Sequence, residues 1–266
     1  STPDAGATRW VYRMDAPMAP YLATVVTGPY VEADAIRASG VDQTFWAASA
    51  PDAQAALVEQ VDVLAFLVDW LGPFPFDTYA GVHLEPDPEV RFFNGVALES
   101  QTLSIFGSRM LMTDVVVHEA AHQWFGNSVS PTDWSRDIWW VEGFAHFAEW
   151  RYVEATRGAD AYRRILAAGR ATLAEASRPY PAGDLPLREL FSDWSYVRGA
   201  LTFAALREEL GDADFDTFLR TFVDRYRHGN ATTEDLMAVA EEISGKELSG
   251  LFEAWLFRPA LPRPPR

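Results

Sequence analysis

The sequence has no cysteine among its 266 residues, so disulfide bonds and thiolate metal ligands are excluded. Any metal ion would be held by histidine and carboxylate side chains. Lysine is almost as scarce, with Lys246 as the only example. Acidic residues outnumber basic ones by 38 to 22, which gives a formal net charge of −16. Because such a chain repels phosphate groups, nucleic acids and anionic membranes are not expected as partners.

An apolar run long enough to span a membrane is also missing. The most apolar helix candidate, residues 57–71, is interrupted by Glu59, Asp62 and Asp69. The N-terminus has no signal-peptide pattern, and a soluble protein, cytoplasmic or secreted, is expected. Apolar residues still make up 48% of the chain, which is enough for a substantial core.

Periodicity and turn residues predict the elements of the first half of the chain. Residues 52–71 carry apolar side chains at helical spacing and stop at Gly72, so they predict a helix. Residues 82–84 and 96–98 predict two short strands. Residues 40–51 are expected to form a loop.

The second half is expected to be mainly helical. One helix is predicted over residues 113–124, capped by Thr113 or Asp114, and another over about 137–156. Residues 159–257 are expected to be mostly helical as well.

The first of these helices carries the pattern His118-Glu119-Ala-Ala-His122. Residues four apart share a helix face, so both imidazoles can reach one ion, and Glu119 can contact a water there as a general base. The same pattern also occurs in proteins where both histidines are ordinary residues. Here it follows three valines, residues 115–117, and precedes a second helix with a fitting glutamate, which favours a metal site.

That glutamate is Glu142, the best candidate for a third ligand. Two antiparallel helices joined by residues 126–137 would bring their inner faces together. Two imidazoles and one carboxylate would leave a coordination position open, as a catalytic zinc site requires.

These segments resemble the M1 family of zinc aminopeptidases, also called gluzincins. The similarity extends over nearly the whole chain from Trp10 to Leu261. The segments that carry it are His-Glu-Ala-Ala-His-Gln-Trp-Phe-Gly-Asn at 118–127, Trp-Val-Glu-Gly-Phe-Ala at 140–145, Gly-Pro-Phe-Pro-Phe-Asp-Thr-Tyr at 72–79, Tyr-Val-Arg-Gly-Ala at 196–200, and residues 232–256.

The resemblance implies roles for five residues. His118, His122 and Glu142 are expected to bind one zinc ion, and Glu119 is expected to be the catalytic base. Tyr196 matches the tyrosine that stabilises the oxyanion, a task that suits a phenol because it donates a hydrogen bond to developing negative charge.

Substrate binding is expected at residues 95–100, which match the family's Gly-Ala-Met-Glu-Asn strand. Glu99 would anchor the free amine of a peptide, and Val96 and Ala97 would pair with its extended backbone. The match here is degenerate. Two further departures are the nineteen residues between His122 and Glu142, where the family has eighteen, and Val141 in place of the usual Asn.

The resemblance implies an α+β, thermolysin-like catalytic domain: a small mixed sheet plus a mainly helical C-terminal lobe. We expect three regions: remnant strands of an N-terminal β domain at residues 1–31, the catalytic domain at 32–258, and a Pro-rich tail at 259–266. The rest of the N-terminal β domain is a possible partner.

The expected function is zinc-dependent removal of N-terminal residues from peptides with a free amine. Two alternatives stay open: a zinc endopeptidase with the same metal site, and a non-catalytic peptide-binding module that keeps the metal.

Three further residues have more than one interpretation. Asp137 could orient a zinc-binding histidine or cap its own helix. His146 could face the metal, although packing is the commoner role. Arg198 could contact the substrate or a nearby acid, and a salt bridge is the expected role.

Overall fold

A six-stranded sheet occupies the first half of the chain, and helices occupy most of the second half. The computed structural model describes residues 2–4, 7–86, 91–176 and 179–262. The predicted α+β class, with a small mixed sheet and a mainly helical second half, is confirmed. The strands are β1 Thr2–Asp4, β2 Ala7–Arg9, β3 Val31–Glu32, β4 Ile36–Ala38, β5 Val41–Ala47, β6 Thr78–His83, β7 Ala97–Leu98, β8 Leu103–Phe106, β9 Val129–Pro131 and β10 Gly229–Ala231. The helices are α1 Ala50–Leu71, α2 Thr113–Ala121, α3 Trp134–Arg157, α4 Ala159–Glu175, α5 Tyr196–Leu210, α6 Asp212–Arg225, α7 Thr233–Ser244 and α8 Ser249–Phe252.

The large sheet has the order β3-β5-β6-β8-β7, and β4 also pairs with β5. Strands β5, β6 and β8 run parallel, whereas β7 is antiparallel to β8. β7 is therefore an edge strand, and the chain leaves it directly at Glu99.

The loop predicted over residues 40–51 is wrong, because most of that segment is strand β5. Val41 and Phe45 point into the core and are 2% and 0% exposed. Their alternation with more exposed neighbours is the period-2 pattern of a half-buried strand. A turn at Ser39 and Gly40, both with positive φ, joins β5 to β4 as a hairpin.

The helix predicted over residues 52–71 is confirmed, with its start two residues earlier at Ala50. Ser49 caps it by accepting a hydrogen bond from Asp52 N. Helix α2 is shorter than predicted, because it ends at Ala121 and the next residues form a turn. Neither predicted cap of α2 is its N-cap residue, which is Met112.

Helix α3 begins three residues earlier than predicted, because Asp133 accepts a hydrogen bond from Ser135 N at 2.9 Å. Asp137 does not orient a histidine. Its carboxylate accepts hydrogen bonds from the backbone N–H groups of Thr132, Asp133 and Thr233. It therefore caps the start of α3 and links it to the start of α7. Capping is therefore the correct alternative for Asp137.

Helices α3 and α5 cross at unusually short range. A Cβ atom added to Gly143 would lie 2.5 Å from the Gly199 Cα, and one added to Gly199 would lie 2.4 Å from the Trp139 carbonyl oxygen. Two facing glycines permit this approach, and it brings the N-terminal end of α5 over the middle of α3.

The described residues between 159 and 257 are mostly helical, as predicted, apart from an interruption at 179–195 and the short strand β10, which pairs in parallel with β9. At the other end of the chain, residues 10–30 contain one turn of 3₁₀-helix, Pro20–Leu22, and no strand. The predicted tail is described only as far as residue 262. No helix in the described part of the chain combines the length and apolarity needed to cross a membrane.

Candidate metal centre and active site

Helices α2 and α3 bring the three predicted metal ligands together. Glu142 Oε2 lies 3.3 Å from His118 Nε2 and 3.4 Å from His122 Nε2. All three residues are buried, with at most 9% exposure. The nineteen-residue interval before Glu142 therefore still places its carboxylate beside both imidazoles.

This donor set fits a zinc ion. Two atoms that each lie about 2.0–2.1 Å from one tetrahedral zinc are about 3.3–3.4 Å apart. The distances from Glu142 Oε2 to the two imidazole nitrogens have that value. Two imidazoles and one carboxylate are also the ligand chemistry of a catalytic site that keeps one position open.

Each histidine is oriented through its other ring nitrogen. His118 Nδ1 donates to Glu149 Oε1 at 2.7 Å, and His122 Nδ1 donates to the Phe125 carbonyl oxygen at 3.1 Å. Because the acceptors are a carboxylate and a carbonyl, both protons belong on Nδ1, which leaves Nε2 free for a metal. Gly126, with a φ of 129°, makes the turn that follows Phe125.

Glu149 was not identified from the sequence. It lies seven residues after Glu142, two helical turns further along the same face, and that spacing was an available signal. His146 Nδ1 also donates to Glu149 Oε1, at 3.0 Å. Burial alone would raise the pKa of Glu149, but His146 and His118 lower it to about 2, so the carboxylate is ionised.

Glu119 is 5% exposed and projects beside the ligands without joining them. Burial raises the pKa of this carboxyl to about 8, despite the opposing effect of His118 and His122. A carboxyl that titrates near neutrality can both accept and return a proton, which suits a general base.

Tyr196, the first residue of α5, reaches the site from above α3. Its ring stacks on His118 with centroids 5.8 Å apart, which places the phenol beside the candidate ligands. Burial and the surrounding glutamates raise the pKa of Tyr196 well above its usual value, so the phenol keeps its proton. A hydrogen-bond donor is thereby held beside the candidate metal position.

Glu99 lies on the opposite side, directly after edge strand β7, and is 8% exposed. Two residues of the turn after α2 hold its backbone. Asn127 Nδ2 donates to the Glu99 carbonyl oxygen at 2.7 Å, and Gln123 Nε2 donates to it at 3.1 Å. The Gln123 Oε1 atom accepts from Thr102 N at 2.9 Å, which ties the turn after Glu99 to the same helix end.

Val96 and Ala97 lie at the start of this edge. The Val96 carbonyl oxygen accepts from Gly107 N at 2.9 Å, and Ala97 pairs with Phe106 of β8. Among the described residues, no strand pairs with the other side of β7. An extended peptide can therefore add to that side by backbone hydrogen bonding.

Tyr21 is a second residue that was not identified from the sequence. Burial and the nearby charges of Glu99 and Glu142 raise the pKa of Tyr21 well above its usual value. No local spacing connects residue 21 with residue 99, so only the tertiary fold could reveal this proximity.

Comparison with known proteins identifies the family to which the chain belongs. Residues 72–255, well over half of the sequence, match the Peptidase family M1 domain. The chain belongs to peptidase family M1. The matched span includes Glu99, the ligand trio, Glu119 and Tyr196.

Curated relatives of this M1 chain are longer proteins. Aminopeptidase M1-B of Oryza sativa subsp. japonica is 28% identical over 273 residues, which cover 94% of this chain and 31% of the relative. Endoplasmic reticulum aminopeptidase 1 of Homo sapiens is 29% identical over 248 residues, covering 82% and 25% of the two chains.

A similar solved structure is the M1 zinc metallopeptidase from Deinococcus radiodurans. It is 27% identical, with a TM-score of 0.76, and the match covers 89% of this chain and 53% of that one. The M1 chain thus spans about half of this solved structure and about a third or less of the two curated relatives.

Proposed function

We propose that this M1 chain is a zinc-dependent aminopeptidase that hydrolyses the first peptide bond of peptides with a free N-terminus. The observation that carries the proposal is one cluster in which Glu142 lies 3.3 and 3.4 Å from the two imidazoles, with Glu119 beside it. The Deinococcus radiodurans enzyme, solved as a mutant with a Tyr-Ser-Ala substrate, supports short peptides as ligands.

Each residue has a distinct task in this proposal. His118, His122 and Glu142 hold zinc, which when bound polarises the scissile carbonyl and acidifies water. Glu119 takes a proton from the attacking water and passes it to the leaving nitrogen. Tyr196 donates a hydrogen bond to the carbonyl oxygen as negative charge develops on it.

Glu99 supplies the exopeptidase selectivity. An extended substrate pairs with the free side of β7, and the Glu99 carboxylate binds its terminal ammonium group. The distance from that carboxylate to the metal position then selects the first peptide bond. Part of the pocket for the first side chain would come from an N-terminal β domain, and the division at residues 31 and 258 remains a prediction.

The test compares one peptide with a free amine, the same peptide N-acetylated, and the Glu119→Gln variant. We expect cleavage of the free peptide only, and a decrease in kcat of about 10²- to 10⁴-fold in the variant, as loss of a general base predicts. Zinc content should be unchanged.

Equal cleavage of both peptides by the unmodified protein would favour an endopeptidase. Binding of zinc and peptide without turnover would favour a non-catalytic binding module. Either result would contradict the proposal.

A further inference from the structure

The Glu149 carboxylate accepts two hydrogen bonds on one oxygen atom. His118 Nδ1 donates to Glu149 Oε1 from helix α2 at 2.7 Å, and His146 Nδ1 donates to the same atom from α3 at 3.0 Å. The side chains of His146 and Glu149 are 24% and 15% exposed. His146 therefore shares an acceptor with a candidate zinc ligand, although it is not a member of the ligand trio.

The distances in this cluster are those of hydrogen bonds and not of a second metal site. The donor atoms of His118, His146 and Glu149 all lie within 4.8 Å of one another, which by itself would permit an ion. However, two ligands of one tetrahedral zinc lie about 3.3–3.4 Å apart. The 2.7 and 3.0 Å distances to Glu149 are shorter and match ordinary hydrogen bonds. The cluster therefore supports His118 from its Nδ1 side.

The His146 ring also contacts the candidate oxyanion donor. It lies edge-on to Tyr196, with centroids 6.4 Å apart and an interplanar angle of 86°. Tyr196 in turn stacks on His118. The buried Trp150 meets the His146 ring as well, with centroids 5.1 Å apart. Contacts thus form a closed circuit from His118 through Glu149, His146 and Tyr196 back to His118.

A second donor changes what Glu149 can do. The side chain of a glutamate has several rotatable bonds, and one hydrogen bond from His118 would fix the two partners only relative to each other. His146 lies three residues before Glu149 on the same helix, and its ring is confined by Trp150 and Tyr196. The position of Oε1 is therefore set from within α3, so Glu149 can orient the His118 ring and does not merely follow it.

We propose that His146 is a positioning residue, which fixes the Glu149 carboxylate and through it the His118 ring for zinc binding. This inference rests on the proposed function, because His118 is a zinc ligand there. In this role His146 acts through Glu149 and is not itself a ligand.

The test compares two variants that separate the hydrogen bond from the ring contacts. His146→Phe keeps an aromatic ring against Trp150 and Tyr196 but removes the donor. His146→Asn removes the ring but can present an amide N–H close to the position of the imidazole Nδ1. Zinc affinity, measured by competition with a chelator, should fall about tenfold in His146→Phe, the lower end of the range for partners of metal-bound histidines. It should be largely retained in His146→Asn.

His83→Phe is the matched control. The His83 ring lies 3.4 Å from the Ser108 carbonyl oxygen, at the end of β6 and outside the site. This variant removes a histidine hydrogen bond of another part of the sheet, so it should leave zinc affinity unchanged. The reverse pattern at residue 146, with a loss in His146→Asn and none in His146→Phe, would overturn the proposal, because ring packing would then be the role of His146.

A double-mutant cycle with Glu149→Gln tests whether His146 acts through Glu149. If it does, His146→Phe should lower zinc affinity little further in the Glu149→Gln background. A loss of the same size in both backgrounds would also overturn the proposal.

The proposed function is tested separately, through the zinc content of the unmodified protein and its cleavage of a free peptide. A protein that binds no zinc would refute the proposed function and this inference with it. A zinc-loaded protein that cleaves the free peptide, together with unchanged zinc affinity in His146→Phe, would refute this inference alone.

Discussion

At the scale of single residues, the surroundings of each glutamate in the site determine what it can do. Burial alone would raise the pKa of Glu142, but His122 and His118 lower it, so its carboxylate is ionised and suited to bind a cation. Burial prevails at Glu119 and raises its pKa to about 8. Glu149 is ionised like Glu142. It accepts a hydrogen bond from His118 Nδ1 and does not belong to the candidate ligand trio. One side-chain type thus occurs in three surroundings, which suit it to the proposed roles of ligand, base and orienting group.

The Glu149→Gln variant tests the orienting group. Loss of the carboxylate that fixes the His118 ring should lower zinc affinity by about 10- to 100-fold, as for other partners of metal-bound histidines. Competition with a chelator of known affinity would measure this. Glu154→Gln is the matched control on the same helix, because Glu154 pairs with Arg151 and Arg207 instead. Equal zinc affinities of the two variants would contradict the assignment.

The Tyr196→Phe variant tests the donor above the metal position. Removing one oxyanion donor should lower kcat by about 10²- to 10³-fold and change KM much less. Steady-state kinetics on a free peptide would check this, with Tyr226→Phe as a control that removes a hydroxyl bonded to Asp235. A change mainly in KM would remove Tyr196 from this role.

At the scale of elements, the crossing of α3 and α5 connects the candidate metal ligand Glu142 with the candidate oxyanion donor Tyr196. Gly143 follows Glu142 directly, and Gly199 lies one helical turn after Tyr196. The contact of the two glycines therefore sets the distance between the two functional side chains. Any larger residue at either position would move α5 away from α3.

Gly199→Ala should therefore affect both stability and catalysis. Its methyl group would overlap the Trp139 carbonyl oxygen, and such overpacking costs about 1–3 kcal/mol. Urea unfolding would measure the loss, and kcat should fall as Tyr196 is displaced. Gly250→Ala in α8 is the control, because no heavy atom lies within 4 Å of the added Cβ. Similar losses in both variants would contradict the argument from close contact.

At the scale of the whole molecule, Arg198 binds residues 254–260, near the end of the described chain, to the start of α5 beside Tyr196. It is fully buried, and the predicted salt bridge is wrong, because every hydrogen-bond acceptor it has among the described residues is a main-chain carbonyl oxygen. The six acceptors belong to Tyr180, Ala254, Trp255, Arg258, Pro259 and Ala260. These carbonyl oxygens provide the electrostatic compensation that a carboxylate would otherwise supply.

Arg198→Met keeps the length of the side chain and removes the donors. The carbonyl oxygens left without partners should lower the free energy of unfolding by about 3 kcal/mol. Chemical denaturation would test this against Arg225→Met, which removes only an exposed pair with Glu242. If the two variants lose the same stability, the hydrogen bonds of Arg198 to the carbonyl oxygens do not stabilise the fold more than an exposed ion pair does.

Much of the site was predictable because its information is local. Four-residue spacing on one helix places His118 and His122 on one face, and the helical pattern around Glu142 supplies a second face to meet it. The alternation that marks β5 was equally local.

The amino-acid sequence by itself determined the order of the long helices, the family and the candidate ligand trio, since short-range periodicity and motif spacing are readable in the sequence alone. Only the tertiary structure decided that Tyr21 lies near Glu99, that Glu149 rather than Asp137 accepts a hydrogen bond from His118, and that Arg198 binds carbonyl oxygens. The physical reason is that these contacts join segments far apart in the chain. For Glu149, helical spacing indicated the correct helix face, but its contact with His118 still depends on how two helices pack. Their pairing depends on how sheet, helices and turns pack together, and no local pattern encodes that packing.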